Sequence, residues 1–526
     1  MNIAGLTPAE RRLRRAFKRG SQVNFGSAEP CEGASWGPER TIRALVLRAL
    51  LLGETTGASA LRLAGARITG GLDLRNATIG CPVVFHDCYF EEAPNFYAAQ
   101  TRQLTFTGSV LPGLIATEIH TSGALQLSRC RIAGSVRLVG ARLGALSLDH
   151  ARLGSGEGEV LQLNPAHIEH DLWAHDLHAF GELQLDRARI GGEVNFRDAK
   201  LSSPAGVCLS AVNLVVDSRF AGSRLRADGE VRLTGARIAG SVLLDDAVLD
   251  SVGRNALMAP GLRIGFDLRC PGLKAAGEVR FRGTSVEGVM IFVGATFSQP
   301  GGVALRADGC TAAVLTLKRM SVEAGSIDLR RSRFDRIDVT PEAWPEKVRL
   351  DGLSYGALAP RLPAKQRLGV LERDEHGYVP HAYEQLAASY TRIGDDFSAR
   401  KVRLAKQRRL RSTLPRWARP WGFVQDVTVG YGYRPVLAAA WLSGLLLTGS
   451  ILFGLHHPPP LDPGKAPAFN PVVYTLNLLV PIVDFGQAKA FNPQGWYQWV
   501  SYAFIASGWL LATTVIAGVT RTINRQ

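Results

Sequence analysis

Hydrophobic positions in the first two thirds of the chain recur about every eleven residues, as an LxL pair followed by AxI or AxL. The motif reads Leu61, Leu63, Ala66, Ile68, then Leu72, Leu74, Ala77, Ile79. It returns as Leu183, Leu185, Ala188, Ile190 and as Val231, Leu233, Ala236, Ile238. A unit this short cannot bury its own apolar side chains, so neighbouring units must stack and share a core. Alternation inside LxL sets two side chains on one face of a strand, and the Gly and small residues between units suit corners. The pattern predicts a mainly β fold, a parallel solenoid over residues 56–345 with two units per turn of roughly 20–22 residues.

The flanking segments obey other periods. Residues 1–55 hold two helical candidates, near 8–18 and 38–52, the second with Pro38 at its start and Gly53 just past its end. They fit a helical cap that covers the open first coil. Residues 346–432 read as a helical linker, including a hairpin in which Tyr383, Leu386 and Tyr390 line one face, Gly394 breaks the chain, and Ala399, Val402 and Leu404 line the next. Residues 433–526 form a two-helix transmembrane region. The stretch 435–455 is uncharged and long enough to cross a bilayer, and 496–519 makes the second span. Between them 470–487, with Pro481 and Asp484 inside it, is too short in its apolar run for a third crossing and is expected to be re-entrant. Two spans put both termini on the cytoplasmic side of the inner membrane.

Charge sharpens this picture. The net charge is +15, which calls for an anionic partner. Much of it clusters just before the first span, in Arg400, Lys401, Arg403, Lys406, Arg408, Arg409, Arg411, Arg416 and Arg419, interleaved with Trp417 and Trp421. That is the composition of a membrane-surface segment seated on anionic lipid, so the charge needs no nucleic acid to explain it. The N-terminus is basic and amphipathic without the apolar core of a secretory signal, which leaves the solenoid in the cytoplasm. Seven dispersed cysteines read as small buried hydrophobes.

GARITGGLDL, RCRIAGSVRLVGARLGALSL and GARIAGSVLLDDAVL resemble the right-handed quadrilateral β-helix of pentapeptide-repeat proteins, over roughly half the chain, although spacing here alternates between five and six residues. The hairpin is similar to a single tetratricopeptide pair. Two spans around a short re-entrant helix resemble the pore module of two-helix cation channels, over about ninety residues. That resemblance implies an oligomer and makes Asp484 the pore residue to watch, because a carboxylate at membrane depth must face water or a partner. The TVGYG string at 428–432 matches a potassium filter by letters only: it precedes the first span and lacks a pore helix ahead of it. Chains combining such a solenoid with a membrane tail also resemble bacterial proteins labelled membrane-associated oxidoreductases.

Site chemistry is sparse. The densest polar cluster holds His167, Glu169, His170, Asp171, His175, Asp176 and His178, the right ligand types for zinc or iron; His167 and His178 stand one unit apart, as if at equivalent positions. A second cluster is Cys81, His86, Asp87 and Cys88. No Walker loop, dinucleotide fingerprint or CxxC pair occurs, so no catalytic residue and no cofactor is assigned. The expectation is a membrane-anchored solenoid scaffold, with a protein partner on the solenoid and a homo-oligomeric tail forming a cation pore. A non-conducting anchor is the alternative, and a redox enzyme the third reading.

Overall fold

The computed structural model describes residues 5–26, 29–53, 59–154, 156, 158–415, 419–433, 435–480 and 483–523. The chain divides into two compact units, residues 1–362 with 369–382, and residues 363–368 with 383–526.

The first unit is a parallel β-solenoid of about 14 turns. Each coil contributes short segments to two long sheets in alternation, as in Arg131–Ile132 and Val136–Arg137 of one sheet followed by Arg142–Ser147 of the other. A two-residue strand has little stability alone, so each is held by in-register pairing with the coils on either side. Leu104, Leu125, Leu146, Leu172, Val194 and Phe220 are successive register partners, and all are buried. Inward positions thus stack on inward positions, and one apolar column runs the length of the unit. Rings widen it near the start, where Phe85 and Phe90, Phe85 and Phe106, and Phe96 and Phe106 pack at centroid separations of 5.2, 5.3 and 6.1 Å. Six cysteines are buried in this core and Cys31 is exposed. Burial pushes the thiols of Cys88, Cys130, Cys208 and Cys310 up to about 12.

Pairing reaches beyond the expected limits at both ends. Val23–Asn24 and Thr41–Arg43 pair with Leu61–Ala64 and Arg67–Thr69, so the cap itself supplies strands. Helix α1 (Pro8–Arg19) starts on a Thr7 and Glu10 capping box and buries Leu13 and Phe17. Helix α2 (Ala44–Leu52) begins six residues after Pro38, because Thr41–Arg43 has joined the ladder. At the far end Ser354–Ala359 still pairs with Arg333–Asp338, past the boundary expected at 345.

Coil length is not uniform. Along one sheet the equivalent positions Arg189, Val215, Arg237, Arg263, Ser285 and Thr311 alternate between 26- and 22-residue spacings. The longer coils carry the eleven-residue segments Lys200–Ser210, Val248–Met258 and Thr296–Arg306, which begin 48 residues apart. Gly229 and Gly277 lie against the inserts. Their φ values are +126° and +127°, and a Cβ on them would stand 2.5 Å from the Ser203 carbonyl oxygen and 2.7 Å from that of Ser251. Only glycine fits such a backbone at such an approach.

Charged pairs sit on the outer faces. Asp328, fully covered, accepts from Arg330 at 2.6 Å and has Arg306 and Arg349 within 3.7 Å. Burial alone would raise its carboxyl, but the bonds from Arg330 outweigh this and hold it below the usual carboxylate range.

The second unit is helical. Helices α3 (Ala364–Leu371) and α4 (Pro380–Arg392) each begin or end across its boundary, and α4 makes a hairpin with α5 (Asp396–Thr413), with Gly394 between them at φ +76°. Tyr383, Leu386, Tyr390, Ala399, Val402 and Leu404 are buried. Helices α6 (Arg419–Val429), α7 (Pro435–Leu455), α8 (Pro471–Leu479), α9 (Gln487–Ala490) and α10 (Trp496–Ile523) follow.

Two outcomes are expected. Gly229→Ala should destabilise the solenoid by about 2 kcal/mol, the scale of one strained backbone position, whereas Gly206→Ala, whose Cβ would meet only Ser203 Oγ at 3.4 Å, should be near neutral; melting curves of the two variants check this. Asp328→Asn should cost about 2 kcal/mol at neutral pH. Because the folded carboxyl titrates below its unfolded value of about 3.9, that contribution is present above pH 3.9 and lost as pH falls through the folded value. The gap between wild type and variant in pH-dependent melting should therefore close in acid.

Candidate functional site

The most organised feature of the second unit is an excursion between two long helices. Helix α7 includes the stretch Val436–Leu455, with mean hydropathy 2.0, long and apolar enough to cross a membrane; 17% of its apolar window is buried within the structure. After it the chain leaves and returns at one level. Pro460 and Phe491 form an antiparallel bridge, the Leu461 N–H donates to Ala490 O at 2.9 Å, and the Asn492 N–H to Pro459 O at 2.9 Å.

Between these pins α8 runs back alongside α7. Asn470 caps it, accepting from the N–H groups of Val472 and Val473. Two glycines make room: a Cβ at Gly449 would fall 2.4 Å from Thr475 Cγ2, and one at Gly508 of α10 would fall 2.2 Å from the Leu479 carbonyl oxygen. Phe453, Tyr474, Leu478, Leu479, Phe491 and Phe504 form the shared core. Nine residues rise about 14 Å, roughly half of a 30 Å hydrocarbon layer.

The return is held by two amides. Asn477 Oδ1 accepts from the N–H groups of Gln487 and Ala488 at 3.1 and 3.0 Å. Gln487, buried, donates from Nε2 to Ala468 O at 2.8 Å, and its Oε1 accepts from the Asn470 N–H at 3.2 Å. Neither amide stands out in the sequence reading, though an Asn inside the apolar run YTLNLL was the available signal.

Asp484 lies on this return. Its carboxylate accepts from the Gly486 N–H at 2.9 Å and pairs with Lys489 at 2.6 Å. Pro481 lies outside the described residues. The 428–432 string closes α6 as a helical turn in which the Tyr431 hydroxyl donates to Gly422 O. The second expected span falls on α10, whose side chains from 512 onward lie outside those described.

The basic cluster divides. Arg408 and Arg411 both pair with Asp426, at 2.9 and 3.3 Å, tying α5 to α6. Lys406 pairs with Glu384, Arg403 donates to Thr391 Oγ1, and Arg419 donates to the carbonyls of Leu414 and Ser412. Arg416 lies outside the described residues. Arg400, Lys401 and Arg409 have no carboxylate partner among the described residues; Lys401 lies over the Phe397 ring at 4.2 Å.

The histidines of the solenoid do not converge. His167 pairs in register with Arg142 and Arg189 on one sheet, while His178 pairs with Arg152 and Lys200 on the other. One unit of sequence is half a coil, so the two stand on different faces rather than at equivalent positions. His170 is exposed on the first face. His175 and His178 do share a corner, with His150: Asp176 faces His150 Nδ1 at 3.1 Å and His178 Nε2 at 3.5 Å, and Asp198 faces His175 at 3.6 Å and Arg224 at 2.5 Å. His150 holds the Asp176 carboxyl below its ordinary range, and Arg224 does the same for Asp198. Cys88 is turned inward, its thiol on Leu63 O. Among the described residues no group of three or more His, Cys, Asp or Glu side chains is arranged to hold a metal ion.

No family model, curated protein or solved structure matches this chain.

If Asn477 and Gln487 hold the return, Asn477→Ala should release the α9 N–H groups at a cost of about 1–3 kcal/mol. Hydrogen exchange and limited proteolysis should then speed up at 483–490 and stay unchanged in α4 and α5.

Proposed function

We propose that the protein is a solenoid scaffold anchored in the inner membrane, with both termini cytoplasmic, and that several copies of its tail surround a cation path. The observation that carries this reading is the pinned excursion 459–492, which enters and leaves at one level and carries a half-length helix between two longer ones. In this reading α7 and α10 cross the bilayer, and α8 reaches about half its depth with its C-terminal carbonyls leading. A helix C-terminus carries partial negative charge, which favours a cation in a water-filled path between copies. Two spans per chain do not enclose a path by themselves, so the reading requires a homo-oligomer. Arg400, Lys401 and Arg409 supply the contact with anionic lipid.

One observation favours the anchor alone. Asp484, the carboxylate expected to select cations, is held by Lys489 in an exposed pair, and a paired carboxylate attracts a passing cation less than a free one.

Liposomes carrying the purified full chain decide between the two. The pore reading expects monovalent cation flux from an oligomer, with Asp484→Asn lowering cation-over-anion selectivity several-fold. Absence of flux under every condition, with a monomeric tail, leaves the anchor.

A further inference from the structure

The variable position inside AxI is basic again and again, and the coils bring those positions into one line. In one sheet His120, Arg142, His167, Arg189, Val215, Arg237 and Arg263 are successive register partners across seven coils. All but Val215 are exposed, and the Ile, Leu or Thr that follows each is buried. Parallel coils rise about 4.8 Å each, so the row extends over about 30 Å. Like charges stacked directly across a ladder repel. Along this row Arg189 alone meets a carboxylate, Asp217 at 4.0 Å; Arg142, Arg237 and Arg263 have none among the described residues.

The residues beside the row are small because the coils approach closely there: a Cβ at Gly144, Gly191 or Gly265 would stand 2.6, 2.2 or 2.1 Å from a carbonyl oxygen of the preceding coil. Two positions past the arginines stand Gly144, Gly191, Ala239 and Gly265. An open groove of about 570 Å³ runs along Arg237 and Arg263 over Ile238, Ala239 and Gly265, with Asp217 and Glu287 at its two ends.

We propose that this row binds a narrow, linear polyanion, a chain of phosphates, laid along the solenoid axis. Its four arginines stand at intervals of one or two coils on a rigid ladder, so binding orders little of the protein, and guanidinium forks suit phosphate oxygens. Width argues against a lipid plane: a sheet of headgroups would also meet Glu169, Asp217 and Glu287, which flank the row. A single-stranded nucleic acid would want a series of stacking platforms, whereas the exposed rings Phe266, in the coil of Arg263, and Trp173, in the coil of His167, stand four coils apart. The opposite sheet carries a comparable row, Arg131, Arg152, His178, Lys200 and Arg226. Its arginines have no carboxylate ion pair among the described residues either, but Asp228 and Asp250 are adjacent register partners beside it and the eleven-residue segments lie along it, so it serves as the comparison row.

The proposal rests on the solenoid being the binding part of the scaffold, and it is read by binding rather than flux, so it stands or falls separately from conduction. Full chain in detergent is titrated with inorganic polyphosphate, monomeric phosphate, a single-stranded oligonucleotide of matched charge, and phosphatidylglycerol vesicles. Polyphosphate should bind more tightly than the other three, with affinity falling steeply as salt rises. Arg142/Arg237/Arg263→Gln should weaken it by about tenfold or more and Arg131/Arg152/Arg226→Gln by less than about threefold. No binding at low salt, equal losses from both rows, or tighter binding of the oligonucleotide or vesicles through the first row would overturn the proposal. Far-ultraviolet circular dichroism of both triple variants, all at exposed positions, checks that the ladder is intact.

Discussion

Register is the constraint on which the first unit depends. A coil whose strands are two or three residues long has neither a core nor a ladder of its own, so the backbone bonds and the apolar contacts must both come from the coils above and below. Parallel pairing without slippage meets both needs at once: Leu125 lies on Leu146 and that on Leu172, while the N–H groups of the corner residues reach the next coil, as His150 does to His175 O at 2.8 Å. A slip of one residue would turn the apolar column outward everywhere at once. The corners make the register affordable by turning sharply, with His150, Asp176, Asp198 and Arg224 all at φ near +50 to +60°. Asp and His tolerate that conformation better than branched residues.

Much of this was legible in the sequence because the repeat is a direct image of the contact. Positions such as Leu183, Leu185, Ala188 and Ile190 are apolar since they face inward, and their spacing is the distance between faces. The 48-residue, two-coil period was present in the sequence as well, in the equal spacing of Gly181, Gly229, Gly277 and Gly325. It went unread because the inserts are polar and variable, and a search for hydrophobic periodicity passes over them. Pairing past the expected limits is hidden for a related reason. Val23–Asn24 and Ser354–Ala359 join the ladder through backbone bonds, which leave little trace in side-chain pattern.

The tail was legible in composition and opaque in geometry. An uncharged stretch announces α7, and Pro471 after Asn470 announces α8. What fixes the excursion is different in kind: two amides, Asn477 and Gln487, and two glycines, Gly449 and Gly508, at which backbone or rings approach too closely for a Cβ. None of these belongs to a periodic pattern, and their partners are 10 to 55 residues away. The basic cluster shows the same limit, since a run of arginines reads as one surface until Asp426 is seen to take Arg408 and Arg411.

Stacking in register also explains why the solenoid's charges fall into two populations. Any residue repeated at the coil period becomes a row facing copies of itself, so a repeated arginine must find an anion or face repulsion. On one set of positions the anion lies two residues earlier on the same face: Glu230 with Arg232, Glu278 with Arg280, Asp328 with Arg330. There the pairs extend across coils as well, because Arg306 reaches both Glu278 and Asp328. On the row from Arg142 to Arg263 the position two residues later is glycine or alanine at Arg142, Arg189, Arg237 and Arg263. The same fold thus neutralises one line of arginines internally and leaves another in which Arg189 alone meets a carboxylate among the described residues. A Cβ at Gly144, Gly191 or Gly265 would stand 2.6, 2.2 or 2.1 Å from a carbonyl oxygen of the preceding coil, so the ladder cannot set a carboxylate there as it does at Glu230, Glu278 and Asp328. An anion for these arginines has to come from a neighbouring coil, as Asp217 does for Arg189, or from outside the chain.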